Sequence, residues 1–139
     1  MDQSKDELLE RNKNQMYDGK TRTGEDISPS YLEDPYFKSP EAAQRYSDWK
    51  DDITPNSNRK PGVPNLYING AFYRSLRIEV SGEVIITDSS FPEAADIERK
   101  FTTKIFGLGG RYKADFLSDF LKPVFREHIM AATGLNFPL

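Results

Sequence analysis

Between residues 76 and 86 the chain alternates in a period of two. Leu76, Ile78 and Val80 are apolar, Arg77 and Glu79 between them are charged, and Val84, Ile85 and Ile86 follow beyond Ser81-Gly82. This pattern predicts a β-hairpin with a tight turn at Ser81-Gly82 and one buried face. Downstream the period becomes helical. Pro92-Glu93 opens a helix carrying Ala94, Ala95, Ile97 and Phe101. After a glycine-rich connection, Phe106-Gly107-Leu108-Gly109-Gly110, residues 111–133 place Tyr112, Phe116, Leu117, Phe120, Leu121, Val124, Phe125 and Ile129 on one broad face. Pro123 falls inside that run, so the helix either kinks there or a second helix begins there. Gly134 is a natural C-terminal stop. The tail Leu135-Asn136-Phe137-Pro138-Leu139 is apolar enough to dock on something.

Upstream the signals are weaker. Residues 5–16 allow a short helix, but Leu8, Leu9 and Met16 make a thin stripe, of the kind that orders against a partner. Residues 17–40 are rich in Gly, Pro, Asp, Ser and Thr, yet they carry Tyr17, Ile27, Tyr31, Leu32, Tyr36 and Phe37. Disordered linkers lack such side chains, so this segment is expected to be an ordered arm on the chain's own core or a neighbour's. Ser39-Pro40-Glu41 has the residues of a helix start: a capping hydroxyl, a proline at the first position and an acid in the first turn. That helix should reach about Asp52 and present Ala42, Ala43, Tyr46 and Trp49. A stiff loop follows, through Thr54-Pro55-Asn56 and Lys60-Pro61-Gly62-Val63-Pro64.

These elements predict an α+β fold: a small antiparallel sheet, the central hairpin, packed against a long C-terminal helix, with an extended N-terminal arm. The 139 residues suit one domain. Within it, residues 1–38 form the first helix and arm, residues 39–64 a helix and loop, and residues 65–139 the hairpin and C-terminal helices.

Composition narrows the function. With no cysteine, disulfides, thiolate metal sites and cysteine catalysis are excluded. A net charge of −3 without a strongly basic stretch disfavours a dedicated nucleic-acid binder. The acidic, polar opening does not resemble a signal peptide, and no apolar run approaches the ~18 residues of a membrane span, so no membrane role is expected. His128 is the only histidine and no Gly-x-Ser-x-Gly turn accompanies it. Asp48, Asp51 and Asp52, and likewise Asp18, Glu25 and Asp26, lack the spacing of a calcium loop and read as solvated acids. The glycine-rich connection lacks the Lys-Ser/Thr of a phosphate loop and reads as a flexible joint. No catalytic residue, cofactor or metal is therefore expected. What remains is aromatic: nine Phe, seven Tyr and one Trp. Such side chains bury large areas at protein interfaces. Tyr31, Tyr36, Phe37, Trp49, Tyr67 and Phe72 are the candidate subunit-contact residues.

The collinear order of short motifs resembles the virion-morphogenesis, or tail-completion, proteins of Mu-like phages and the related head–tail connector proteins. The residues carrying the resemblance are Asp18-Gly19-Lys20, Ser28-Pro29-Ser30-Tyr31, the stretch from Leu66 through Gly70-Ala71-Phe72-Tyr73-Arg74-Ser75-Leu76, the helix Ala94-Ala95-Asp96-Ile97-Glu98-Arg99-Lys100-Phe101, and the turn Ile105-Phe106-Gly107-Leu108. The family's Gly-Arg pair is here Gly70-Ala71, Glu98-Arg99-Lys100-Phe101 stands at its His-Gln/Glu-Phe-Gly signature, and the helix near residues 40–52 looks like an insertion. The resemblance implies a non-enzymatic structural protein of a tailed bacteriophage particle, assembled in the host cytoplasm. It would form a homo-oligomeric ring at the neck or the top of the tail, against portal, connector or tail proteins. Contact with DNA in the channel would be non-specific at most. A small intracellular adaptor or regulatory module is the rival reading.

Overall fold

The computed structural model describes residues 2–81 and 84–134. Along them run α1 (Asp2–Tyr17), α2 (Pro40–Ile53), the single turn α3 (Ala71–Arg74), strands β1 (Leu76–Ser81) and β2 (Val84–Ser89), and α4 (Ala94–Phe101). A 3-10 turn (Thr103–Ile105) leads into a long C-terminal helix built from α5 (Gly110–Asp115), a π-helical stretch (Phe116–Leu121) and α6 (Lys122–Thr133). The class is α+β, with β1 and β2 forming a two-stranded antiparallel sheet. No helix among the described residues is long and apolar enough to cross a membrane.

Local chemistry accounts for most element boundaries. Ser39 Oγ accepts the Ala42 N–H at 3.1 Å and Pro40 fills the first turn of α2. The chain leaves α1 through Gly19, whose N–H donates to the Met16 carbonyl at 2.8 Å. Gly19 sits at φ +71°, and a Cβ there would lie 2.7 Å from Val63 Cγ1, so glycine is required twice over. In the C-terminal helix, the π-helical stretch lies directly ahead of Pro123. Proline lacks an N–H and its ring clashes with the carbonyl four residues back. The wider turn shifts the ladder, and the Lys122 N–H donates to the Leu117 carbonyl five residues back. The run predicted as kinked or split is thus one helix with its proline absorbed by a π turn.

The core gathers one or two residues from nearly every segment: Met16 from α1, Ile27 from the arm, Val63 from the loop, Phe72 and Tyr73 from α3, Leu76 from β1, and Ile105 and Phe106 after α4. The arm therefore lies on the chain's own core. Three expectations change here. The helix predicted over 5–16 extends from Asp2 to Tyr17 and is held by the chain itself, because Asn12 and Gln15 are buried beside Met16. The inward stripe of α2 is Ala43, Ser47 and Lys50 rather than Ala42, Tyr46 and Trp49. The hairpin pairs in the register Leu76↔Ser89 through Ser81↔Val84, but it has no buried face beyond its root. Leu76 is 6 % exposed, whereas Val80 and Ile85, directly paired, are 42 % and 57 % exposed, because the strands run past the edge of the body.

The sheet and the C-terminal helix meet a common partner, α1. β1 packs on α1, and the C-terminal helix runs along α1 through α5 and the π-helical stretch. That run is antiparallel: Tyr112 and Arg111 bond Asp18 just past the C-terminal end of α1, and Arg11, two turns back, lies over the Phe116 ring at 6.0 Å. The turn at Gly82 and the apolar tail, residues 135–139, lie outside the described residues.

Candidate functional site: an aromatic groove and two projecting elements

A groove of about 720 Å³ opens between the arm, α2, α3 and α4. One wall is a continuous run of rings. Tyr31 and Tyr46 approach to 5.0 Å between centroids, Phe37 and Tyr46 to 5.1 Å, and Tyr36 and Phe37 to 5.3 Å. The edge-to-face angles of the first and last pairs are those that ring quadrupoles favour. The other wall combines Tyr67 and Ile68 from the loop, Phe72 from α3 and Phe91, Ile97 and Phe101 around α4.

Asp34, Lys50 and Lys100, which line the groove, are already engaged. At the rim the Lys100 amine pairs with the buried Asp34 carboxylate and sits over the Tyr36 and Phe101 rings, at 5.7 and 5.5 Å from their centroids. Deeper in, Lys50 has almost no solvent contact, and its amine donates to Asn65 Oδ1 at 2.8 Å and to the Tyr67 carbonyl. Burial, with the nearby Arg59 guanidinium adding to it, pushes this amine down to about 8. Arg59 itself pairs with Asp51 at 2.8 Å. The Tyr31, Tyr46 and Tyr73 phenols are all pushed above their ordinary value, chiefly by burial. Apolar, ringed and electrostatically settled, the groove suits an apolar peptide segment better than a charged ligand.

The six candidate contact residues are placed unevenly. Tyr31 and Phe72 are buried in the chain's own interior, and Phe37 and Tyr67 are half-buried. Tyr36 is 77 % exposed. These five line the groove, whereas Trp49 lies outside it on the open face of α2, against Tyr46 at 5.4 Å. Lys50 escaped the sequence reading, and Lys100 entered it only as part of the helix that carries the resemblance. The only trace of Lys50 was its position seven residues after Ala43, on a helix whose other inward residue is a serine.

Two further apolar surfaces stand away from the body. The distal hairpin exposes Val80, Val84, Ile85 and Ile86. α6 continues the π-helical stretch, and together their outer side exposes Leu121, Val124, Phe125 and Met130. His128 is exposed on α6.

Two of the acids singled out in sequence, Asp26 and Asp18, are tied up locally. Asp26 accepts from Lys20 at 2.6 Å and lies 3.5 Å from Lys60, and the Lys20 hydrogen bond holds its carboxyl below the usual range. Asp18 accepts from Tyr112, Arg111 and the Asn58 N–H. Among the described residues no group of three or more His, Cys, Asp or Glu could hold a metal ion. The glycine connection after α4, expected to be flexible, is clamped. Asn12 donates to the Ile105 carbonyl at 2.9 Å and accepts the Gly107 N–H at 2.8 Å. Gln15 donates to the Gly107 carbonyl at 2.9 Å and accepts the Gly109 N–H at 3.0 Å. Arg22 closes the other side, donating to the Thr103 carbonyl at 2.8 Å.

No family model, curated protein or solved structure matches this chain.

Proposed function

We propose that this chain is a structural protein of a tailed bacteriophage particle, joining copies of itself and neighbouring proteins into a ring at the head–tail junction. Its role is mechanical, and its residence is the virion. The observation that carries the reading is the pair of projecting elements that leave large apolar side chains partly exposed. Val80, Val84, Ile85 and Ile86 on the hairpin, and Leu121, Val124 and Phe125 along the C-terminal helix, are each between 37 % and 57 % exposed. Free-standing proteins rarely leave such elements bare, and a two-stranded sheet with both edges open invites pairing with another chain. The collinear motifs that resemble those of tail-completion and connector proteins are the support for this particular assembly. A single head-to-tail contact, repeated, closes a ring when its rotation closes.

The test is the mass of the assembled species, by light scattering and native mass spectrometry, for the wild type and for V80D/I85D. The two carboxylates face each other across the hairpin on residues that are exposed, so they should leave the subunit folded. We expect a multi-subunit wild type and a variant reduced to single subunits. A wild type that stays a single subunit at every concentration, alone and mixed with portal and tail proteins, refutes the reading. The groove gives the rival reading, an adaptor that takes a peptide, its one specific support, and such a wild type would favour it.

A further inference from the structure

We propose that the aromatic groove of one copy receives the apolar segment following α6, residues 135–139, of the next copy; this rests on the ring-assembly reading. The groove and the segment match in chemistry. The side chains of Leu135, Phe137, Pro138 and Leu139 bring no charge, and the groove offers rings with Lys50, Lys100 and Asp34 already paired. A residue before proline favours extended backbone. In that form Leu135, Phe137 and Leu139 would share one side, the spacing at which extended peptides fill successive apolar pockets.

Geometry makes the receiving groove another copy's. The groove touches the C-terminal end of α1, where Tyr17 meets Tyr67 at 5.8 Å. The C-terminal helix starts at that same end, with Tyr112 on Asp18, and runs antiparallel to α1 away from it. From residue 112 to residue 133 a helix advances ~32 Å at 1.5 Å per residue. The five or six residues beyond it span ~20 Å when fully extended. The segment therefore falls short of its own groove, and the exposed stripe of Leu121, Val124 and Phe125 along the C-terminal helix is carried outward. A contact made by one end of a subunit to the opposite end of the next is heterologous, the kind that propagates around a ring.

Complementation between two defective copies tests this. One variant, F137A/L139A, loses the segment and keeps the groove. The other, Y36A/I68D, alters two exposed residues of the groove and keeps the segment. Each alone should behave as a single subunit under conditions where the wild type assembles. Mixed, they should form a one-to-one dimer and stop, because each supplies the half the other lacks. A labelled peptide of residues 134–139 should bind F137A/L139A saturably, and at least tenfold more weakly when I68D is added. Assembly of F137A/L139A like the wild type, or no saturable peptide binding, overturns the inference while leaving ring assembly standing. A wild type that never assembles removes the ring reading, and peptide binding then decides the groove by itself.

Discussion

Lys50 is a cation enclosed by its own chain, and its protonation should be visible in stability. The amine is pushed down to about 8 in the folded protein, from 10.5 in the unfolded chain. Below pH 8 both states carry the ammonium, and the folded one bears the full desolvation penalty. Between pH 8 and 10.5 the folded amine gives up its proton while the unfolded one keeps it, so stability rises with pH across that window. Relative to K50M, the wild type should gain on the order of 2 kcal/mol between pH 7 and pH 9.5, read from urea unfolding at the two pH values. Burial raises the Tyr31, Tyr46 and Tyr73 phenols, and these groups lower stability only above pH 10 and are common to both proteins. A pH-independent difference would mean that Asn65 and the Tyr67 carbonyl hold the ammonium as firmly as water does. Little of this was legible in the sequence. The aromatic residues of the groove stood out by composition, but a lysine at an inward helical position reads as surface until the partner that encloses it, the loop at Asn65 to Tyr67, is folded over it.

At the scale of elements, legibility followed locality. Ser39-Pro40 marked the start of α2, and the alternation from Leu76 marked the two strands, because each depends on neighbours close in sequence; the register, Ser81↔Val84, differs from the Val80–Glu83 pairing that a turn at Ser81-Gly82 implies. The function of α1 did not show, because it rests on polar residues meeting backbone more than ninety positions away. Asn12 and Gln15 use both ends of their amides on the connection from Ile105 to Gly109, and so join the first helix to the entry of the last. Gln15→Ala would leave the Gly107 carbonyl and the buried Gly109 N–H without partners. We expect a loss of roughly 2–4 kcal/mol, from two unsatisfied backbone groups at about 1–3 kcal/mol each with partial relaxation. Thermal unfolding gives the readout, and a variant within about 0.5 kcal/mol of wild type, the range of neutral surface changes, would show the clamp to be dispensable. The opposite side of the same connection is equally tight. A Cβ on Gly109 would lie 1.6 Å from the Arg22 carbonyl oxygen, so the joint that glycine content marked as flexible uses its glycine for close approach.

Across the whole molecule, stability is divided between a body and what projects from it. The body draws on α1, the arm, α3, the root of β1 and the turn after α4, all meeting at one core. The distal hairpin and α6 share little of it. A helix of twelve residues is marginal in water without tertiary contacts, and so is a lone two-stranded sheet. Their amides should therefore open by local fluctuations, while those of α1 and of residues 105–109 open only with the whole domain. Hydrogen exchange on V80D/I85D, held as a single subunit, should show protection factors lower by about two orders of magnitude or more over α6 than over α1, corresponding to ~3 kcal/mol or more of local opening free energy. In the assembled wild type, protection over α6 should rise toward that of α1, because a neighbour now covers Leu121, Val124 and Phe125. Uniform protection in the single subunit would mean that these elements stand without help. Unchanged protection on assembly would mean that α6 is not part of the joint, and the contact would then have to be sought on the hairpin alone.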